Sequence, residues 1–232
     1  LLLGTTYFVR AYAINTSGTA YGNEYFFTTL NIPTLTNVAV SLITGTSATC
    51  GGNITNNGGS VVTERGICYN TNGEPTTEDA VIAVGEGTGS FTTEITELTI
   101  GTSYHVRAYA KNTIGTAYGN TQTFTTQNFA QVITSAVTDI TYTTAKGGGN
   151  ITSDGGAVIT QRGICWNEAG NPDLNSNYTS DGVGAGAFTS NITGITANKT
   201  YFVKAYAIND IGTTYGDQVS FSTPTIIPPA PG

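Results

Sequence analysis

Tyr104-His105-Val106-Arg107-Ala108-Tyr109-Ala110 is the stretch whose reading decides the fold. It returns twice in altered form, as Tyr7-Phe8-Val9-Arg10-Ala11-Tyr12-Ala13 and as Tyr201-Phe202-Val203-Lys204-Ala205-Tyr206-Ala207, each step being 97 residues. Within it Tyr104, Val106, Ala108 and Ala110 alternate with His105, Arg107, Tyr109 and Lys111. Side chains on a strand point to opposite faces in turn, so a period of two predicts a strand with one buried face. The first set is expected in the core and the second toward solvent.

Working outward, the same offset relates Gly22, Gly119 and Gly216, and likewise Phe27, Phe124 and Phe221. It also relates Asn53 to Asn150, Gly66 to Gly163 and Cys68 to Cys165, with no gap anywhere. A fixed period of this kind marks copies of one structural unit. The expected division is residues 1–29 as the last strands of one module, 30–126 and 127–223 as complete modules, and 224–232 as a proline-rich extended linker. The junctions at 29–33 and 126–129 are short, so a stiff string of modules is expected.

In the middle module, residues 47–54 read as a strand, followed by the turn Asn56-Asn57-Gly58-Gly59; the next module has Ser153-Asp154-Gly155-Gly156 there. Asn-Gly and Asp-Gly supply the left-handed backbone positions of tight turns. Residues 61–69 form the next expected strand, and Asn72-Gly73-Glu74-Pro75 breaks the chain. Strands follow at 80–84, around Phe91, Thr93 and Ile95, at 103–112, and finally at 117–126 with Phe124 inward. About seven short strands in one repeat, divided by Gly and Asn turns, predict an all-β, two-sheet sandwich.

Composition narrows the function classes. The 232 residues carry a formal net charge of -7, with a pI near 4.5. Such a surface repels phosphate backbones, so nucleic acid is not an expected partner. No apolar run approaches the ~18 residues of a membrane-spanning helix, and no membrane insertion is expected. Three cysteines, Cys50, Cys68 and Cys165, do not make a disulfide framework. Cys50 corresponds to Gly147, so a Cys50–Cys68 bridge would have no counterpart in the next module. Small buried thiols are the expectation.

Leu98-Thr99-Ile100-Gly101-Thr102-Ser103-Tyr104, followed by Val106, Ala108, Ala110, Asn112 and Gly115, resembles the corner and penultimate strand of a fibronectin type III module. That resemblance makes Tyr104, Tyr7 and Tyr201 corner tyrosines, whose hydroxyls bond to upstream backbone. The segments from Gly52-Asn53-Ile54-Thr55 to Arg65-Gly66-Ile67-Cys68, and from Gly148-Gly149-Asn150-Ile151 to Arg162-Gly163-Ile164-Cys165, are similar to repeats common in secreted and surface proteins of Bacteroidetes. The likeness implies immunoglobulin-like sandwiches in tandem at an extracellular or cell-surface location. It departs from the fibronectin type III pattern in lacking a tryptophan on the second strand; the only tryptophan, Trp166, corresponds to Tyr69. No Arg-Gly-Asp tripeptide occurs.

Catalysis needs a base or nucleophile in a defined constellation. The only histidine, His105, is replaced by Phe8 and Phe202 in the other repeats. Glu64, Glu74 and Glu86 become Gln161, Asn171 and Val183, so they read as solvated charges. Asp173-Leu174-Asn175-Ser176-Asn177 imitates a calcium loop, but Tyr178 takes the glycine position and Gly184 the glutamate position. It is expected to be an Asx-rich turn. No catalytic residue, cofactor or metal is expected, and the chain does not read as an enzyme.

One surface row invites contact: Arg10 and Tyr12, Arg107 and Tyr109, Lys204 and Tyr206. Alternation places each cation beside a ring on the outward face, as cross-strand cation–π packing or as a repeated patch for a glycan or another protein. The expected partners are neighbouring modules of the same chain or of identical chains, with glycans and surface proteins as further candidates. The expected function is a structural repeat region of an adhesin, stalk or fibre; residues 1–29 are completed either within a longer chain or, head-to-tail, by strands from another chain, which would make a filament. The alternative is an accessory binding module of a secreted carbohydrate-active enzyme.

Overall fold

The computed structural model describes residues 1–226; most of the expected linker at 224–232 lies outside the described residues. Every regular element among them is a strand. The chain divides into two compact units, one of residues 1–98 and 102–125, the other of residues 99–101 and 126 onward.

The first unit opens with a hairpin, β1 (Thr6–Asn15) and β2 (Gly18–Thr28), which forms a two-stranded sheet of its own. It continues with β3 (Thr34–Ser41), β4 (Ala48–Asn56), β5 (Glu64–Asn70), β6 (Ala80–Gly85), β7 (Gly89–Ile95), β8 (Ser103–Lys111), β9 (Thr116–Tyr118) and β10 (Gln122–Thr125). One sheet has the order β3-β4-β7; the other has the order β10-β8-β5-β6, with β9 also on β8. All pairings are antiparallel. Ala48, Ile54, Phe91 and Ile95 from the first sheet pack on Ile67, Val106, Ala108 and Phe124 from the second.

The second unit repeats this plan. Its strands are β11 (Gln131–Thr134), β12 (Thr144–Ser153), β13 (Gln161–Asn167), β14 (Asn177–Tyr178), β15 (Gly186–Thr193), β16 (Thr200–Asn209), β17 (Gly212–Tyr215) and β18 (Val219–Ser222). The orders are β11-β12-β15 and β14-β13-β16-β17, with β18 also on β16. Ile151, Ile164, Trp166, Phe188, Val203 and Phe221 are buried in its core.

The first strand of each complete sandwich, β3 or β11, carries weak alternation and has no clear signal in the sequence. The last expected strand, 117–126, is broken in two. Between β9 and β10 the Asn37 side chain inserts: its amide donates to the Asn120 carbonyl and its Oδ1 accepts from Ala108 N at 2.9 Å. Thr134 Oγ1 accepts from Ala205 N at 3.0 Å in the second unit. A side chain thus takes the place of a ladder bond at the break.

Glycine sets how close the sheets come. A Cβ on Gly52 would lie 2.5 Å from Ala108 Cβ, and one on Gly149 would lie 2.5 Å from Ala205 Cβ. Neither position has room for a side chain.

Candidate functional site

The recurring cation-and-ring row divides on folding. Arg107 is only partly exposed, and its guanidinium lies 4.8 Å from the centre of the Tyr118 ring, on the neighbouring strand β9. Lys204 lies 5.9 Å from the Tyr215 ring, and Arg10 lies 5.7 Å from the Tyr21 ring. Each cation thus lies over a tyrosine of the adjacent strand and not over the tyrosine two residues further along its own.

Tyr109 and Tyr206 are not on the surface: both are 0% exposed. This corrects the placement of His105, Arg107, Tyr109 and Lys111 as one solvent face. The outer side of the second sheet carries a cover, the segment between β5 and β6. Pro75 is buried in that cover, and Tyr118 Oη accepts from Thr77 N at 3.1 Å. In the second unit Pro172 is buried likewise, and Tyr215 Oη accepts from Leu174 N at 3.2 Å. Facing Tyr109 and Tyr206 across the ladder are Gly66 and Gly163. A Cβ on Gly163 would come within 2.9 Å of the Tyr206 ring, so the ring lies over the glycine.

The buried hydroxyls are satisfied. Tyr109 Oη donates to Glu64 Oε1 at 2.6 Å, so Glu64 is a structural acceptor and not a solvated loop charge. Tyr206 Oη donates to the Thr179 carbonyl at 2.6 Å and accepts from Gln161 Nε2 at 2.7 Å. Burial raises the Tyr109 hydroxyl pKa well above the ordinary phenol range, and the Glu64 carboxylate adds to the effect. Tyr12 has no cover and is exposed.

The three thiols are free and buried. Cys50 belongs to the inner core, whereas Cys68 and Cys165 sit on the outer side of their sheet, beneath the cover. Cys68 Sγ is 3.5 Å from the Pro75 carbonyl oxygen. The two sites in the first unit thus lie on opposite sides of a sheet and do not pair. Burial pushes the Cys50 thiol up to about 12 and the Cys68 and Cys165 thiols up to about 11, so all three are protonated at neutral pH.

The remaining chemical candidates are spent on local structure. His105 Nδ1 lies 3.1 Å from Thr123 Oγ1 on the adjacent strand. Asp173 accepts from Asn175 N at 2.9 Å and from Asn175 Nδ2 at 3.1 Å, an Asx turn, and these bonds hold its carboxyl below the usual range. Glu74 lies 3.8 Å from the Arg107 guanidinium. Among the described residues no group of three or more His, Cys, Asp or Glu side chains is placed to hold a metal ion.

Two of the three corner tyrosines, Tyr7 and Tyr201, bond to upstream backbone as the resemblance implies. Tyr7 Oη accepts from Leu2 N at 2.7 Å and Tyr201 Oη from Thr196 N at 3.0 Å, each five residues upstream. Tyr104 stacks on Phe124, as Tyr201 does on Phe221.

No protein-family model matches the sequence, and no curated protein matches it. Among solved structures, the chicken CNTN1 FN1-FN3 domains are similar at 16% identity and a TM-score of 0.36, over 97% of this chain and 77% of that one. The chain is all-β, built of antiparallel two-sheet sandwiches. Strand order and register within each unit carry that assignment, and the structural likeness adds nothing to it.

Proposed function

We propose that these residues are a non-catalytic spacer and assembly region of an extracellular adhesin, stalk or fibre. What supports the reading is the residue-by-residue equivalence of the two units. Core, sheet-bridging side chain, cation–π pair and buried tyrosine recur at one interval. The groups with chemical potential serve these structural contacts. A spacer needs identical, independently stable blocks, whereas a binding or catalytic site needs side chains turned toward a ligand.

Pulling a single molecule from both ends tests this. Two discrete unfolding steps are expected, each releasing roughly 320–350 Å of chain, the extended length of one repeat. Extension without discrete steps would remove the mechanical reading.

A further inference from the structure

We propose that the open face of the β1–β2 hairpin is a docking surface for a five-strand half-module of this same repeat class, the counterpart of residues 30–98 or 127–195. The structure contains the proposed interface twice. β8 with its partners β9 and β10 is covered by β3–β7, and β16 with β17 and β18 is covered by β11–β15. β1 and β2 present the same side chains, and among the described residues nothing lies over them. Val9 is 50% exposed, whereas Val106 and Val203 are 2% and 0% exposed. Phe27 is 45% exposed, whereas Phe124 and Phe221 are 5% and 7% exposed.

The fit is specific at three points. Ala11 is the counterpart of Ala108 and Ala205, whose methyl groups leave room only for a glycine opposite, Gly52 or Gly149. The Ala11 N–H matches the two amides that donate to a side chain of the covering half, Asn37 or Thr134. Tyr12 matches Tyr109 and Tyr206, which lie opposite a glycine and bond to the first residue of the covering strand, Glu64 or Gln161. The vacant edge of β1 is the edge on which β5 or β13 forms its ladder. By the alternation of antiparallel bonding, Phe8, Arg10, Tyr12 and Ile14 turn their backbone groups to that edge.

A second copy of these residues does not supply the cover. The described residues hold three hairpin-type halves and two five-strand halves, so exchange between copies uncovers one hairpin for each that it covers. The occupant is a half-module with a glycine pair on its second strand and Arg-Gly-Ile-Cys on its third, as here.

The test uses the isotope-labelled 232-residue chain and, as probe, an unlabelled polypeptide of residues 127–195, with amide exchange read along β1. Exchange at Phe8, Arg10, Tyr12 and Ile14 is expected to slow at least about tenfold on adding the probe. The Ala11→Leu chain, altered at an exposed position, is expected to show no slowing, and neither is a Gly149→Leu probe. Unchanged exchange would overturn the proposal, as would equal slowing in the Ala11→Leu chain. So would a dimeric chain whose β1 amides are already protected without probe, since a second copy would then be the cover.

Discussion

At Gly52 and Gly149 a single hydrogen where other residues carry a methyl group fixes the spacing between the sheets. The neighbour of an added Cβ is an alanine methyl, and the Thr36 or Ile133 carbonyl oxygen stands 3.1 or 2.9 Å away on another side. Backbone cannot move aside as the end of a long side chain can, so Gly149→Ala overpacks the core. The expected cost is about 1–3 kcal/mol, read as a lower urea midpoint with an unchanged slope. Gly147, the counterpart of Cys50, is different: its space is already taken by Ile164 Cδ1, 2.9 Å from where a Cβ would sit. The thiols give a second residue-scale test. In the unfolded chain they ionise near 9, whereas folded Cys68 and Cys165 hold their protons to about 11 and Cys50 to about 12. Between those values the unfolded chain binds fewer protons than the folded one, so stability falls as pH rises through that window. The thiol contribution is fully present below pH 9. Denaturation midpoints at pH 8 and 10.5 check the sign; a midpoint that rises with pH would contradict it.

The outer side of the second sheet owes its burial to one segment outside regular structure, the cover between β5 and β6 and its counterpart between β13 and β14. It turns a face expected to be wet into a second, smaller core holding Cys68 and Tyr109, or Cys165 and Tyr206. Tyr118 tethers the cover through Thr77 N and Thr77 Oγ1, at 3.1 and 2.9 Å, and stacks its ring beneath Arg107. Tyr118→Ala removes the tether and the ring together. Cys68 is then expected to react with a thiol reagent in the folded protein while Cys50, inside the sandwich, stays protected; mass spectrometry of the labelled peptides distinguishes the two. The sandwich itself was legible, because the alternation in Tyr104, Val106, Ala108 and Ala110 reports one buried face directly. The burial of Tyr109 was not, since strand alternation says which side a residue faces and not what lies over that side. Asn72-Gly73-Glu74-Pro75 reads only as a chain break; that the break folds back over the sheet depends on the distant Tyr118. β3 was missed for a related reason. It pairs through its backbone along one edge of β4, and only Leu35 and Val40 join the core from it.

At the scale of the whole molecule, stability is unevenly distributed. Each five-strand half locks its hairpin-type half through a core of buried Ile, Val and Phe side chains, and opening it exposes the whole core. β1 and β2 have only each other, with nine paired positions and the stacking of Tyr7 on Phe27 at 5.8 Å. Lone two-stranded sheets are marginal in water, because a single ladder without a covered face does not offset the entropy of ordering the chain. Their ties to the rest of the first unit run through the junction: Gly4 N donates to the Leu30 carbonyl at 3.2 Å, Asn31 N donates to the Gly58 carbonyl at 2.8 Å, and Asn112 Nδ2 donates to the Asn31 carbonyl at 2.7 Å. Native-state hydrogen exchange should therefore separate two classes of amide. Those of β12 and β16 are expected to exchange only through global unfolding, with a strong dependence on urea. Those of β1 and β2 are expected to exchange through local opening, at least a hundredfold or so faster and nearly independent of urea. Equal protection across the hairpin and the two sandwiches would mean that the exposed face of β1 and β2 is covered in solution.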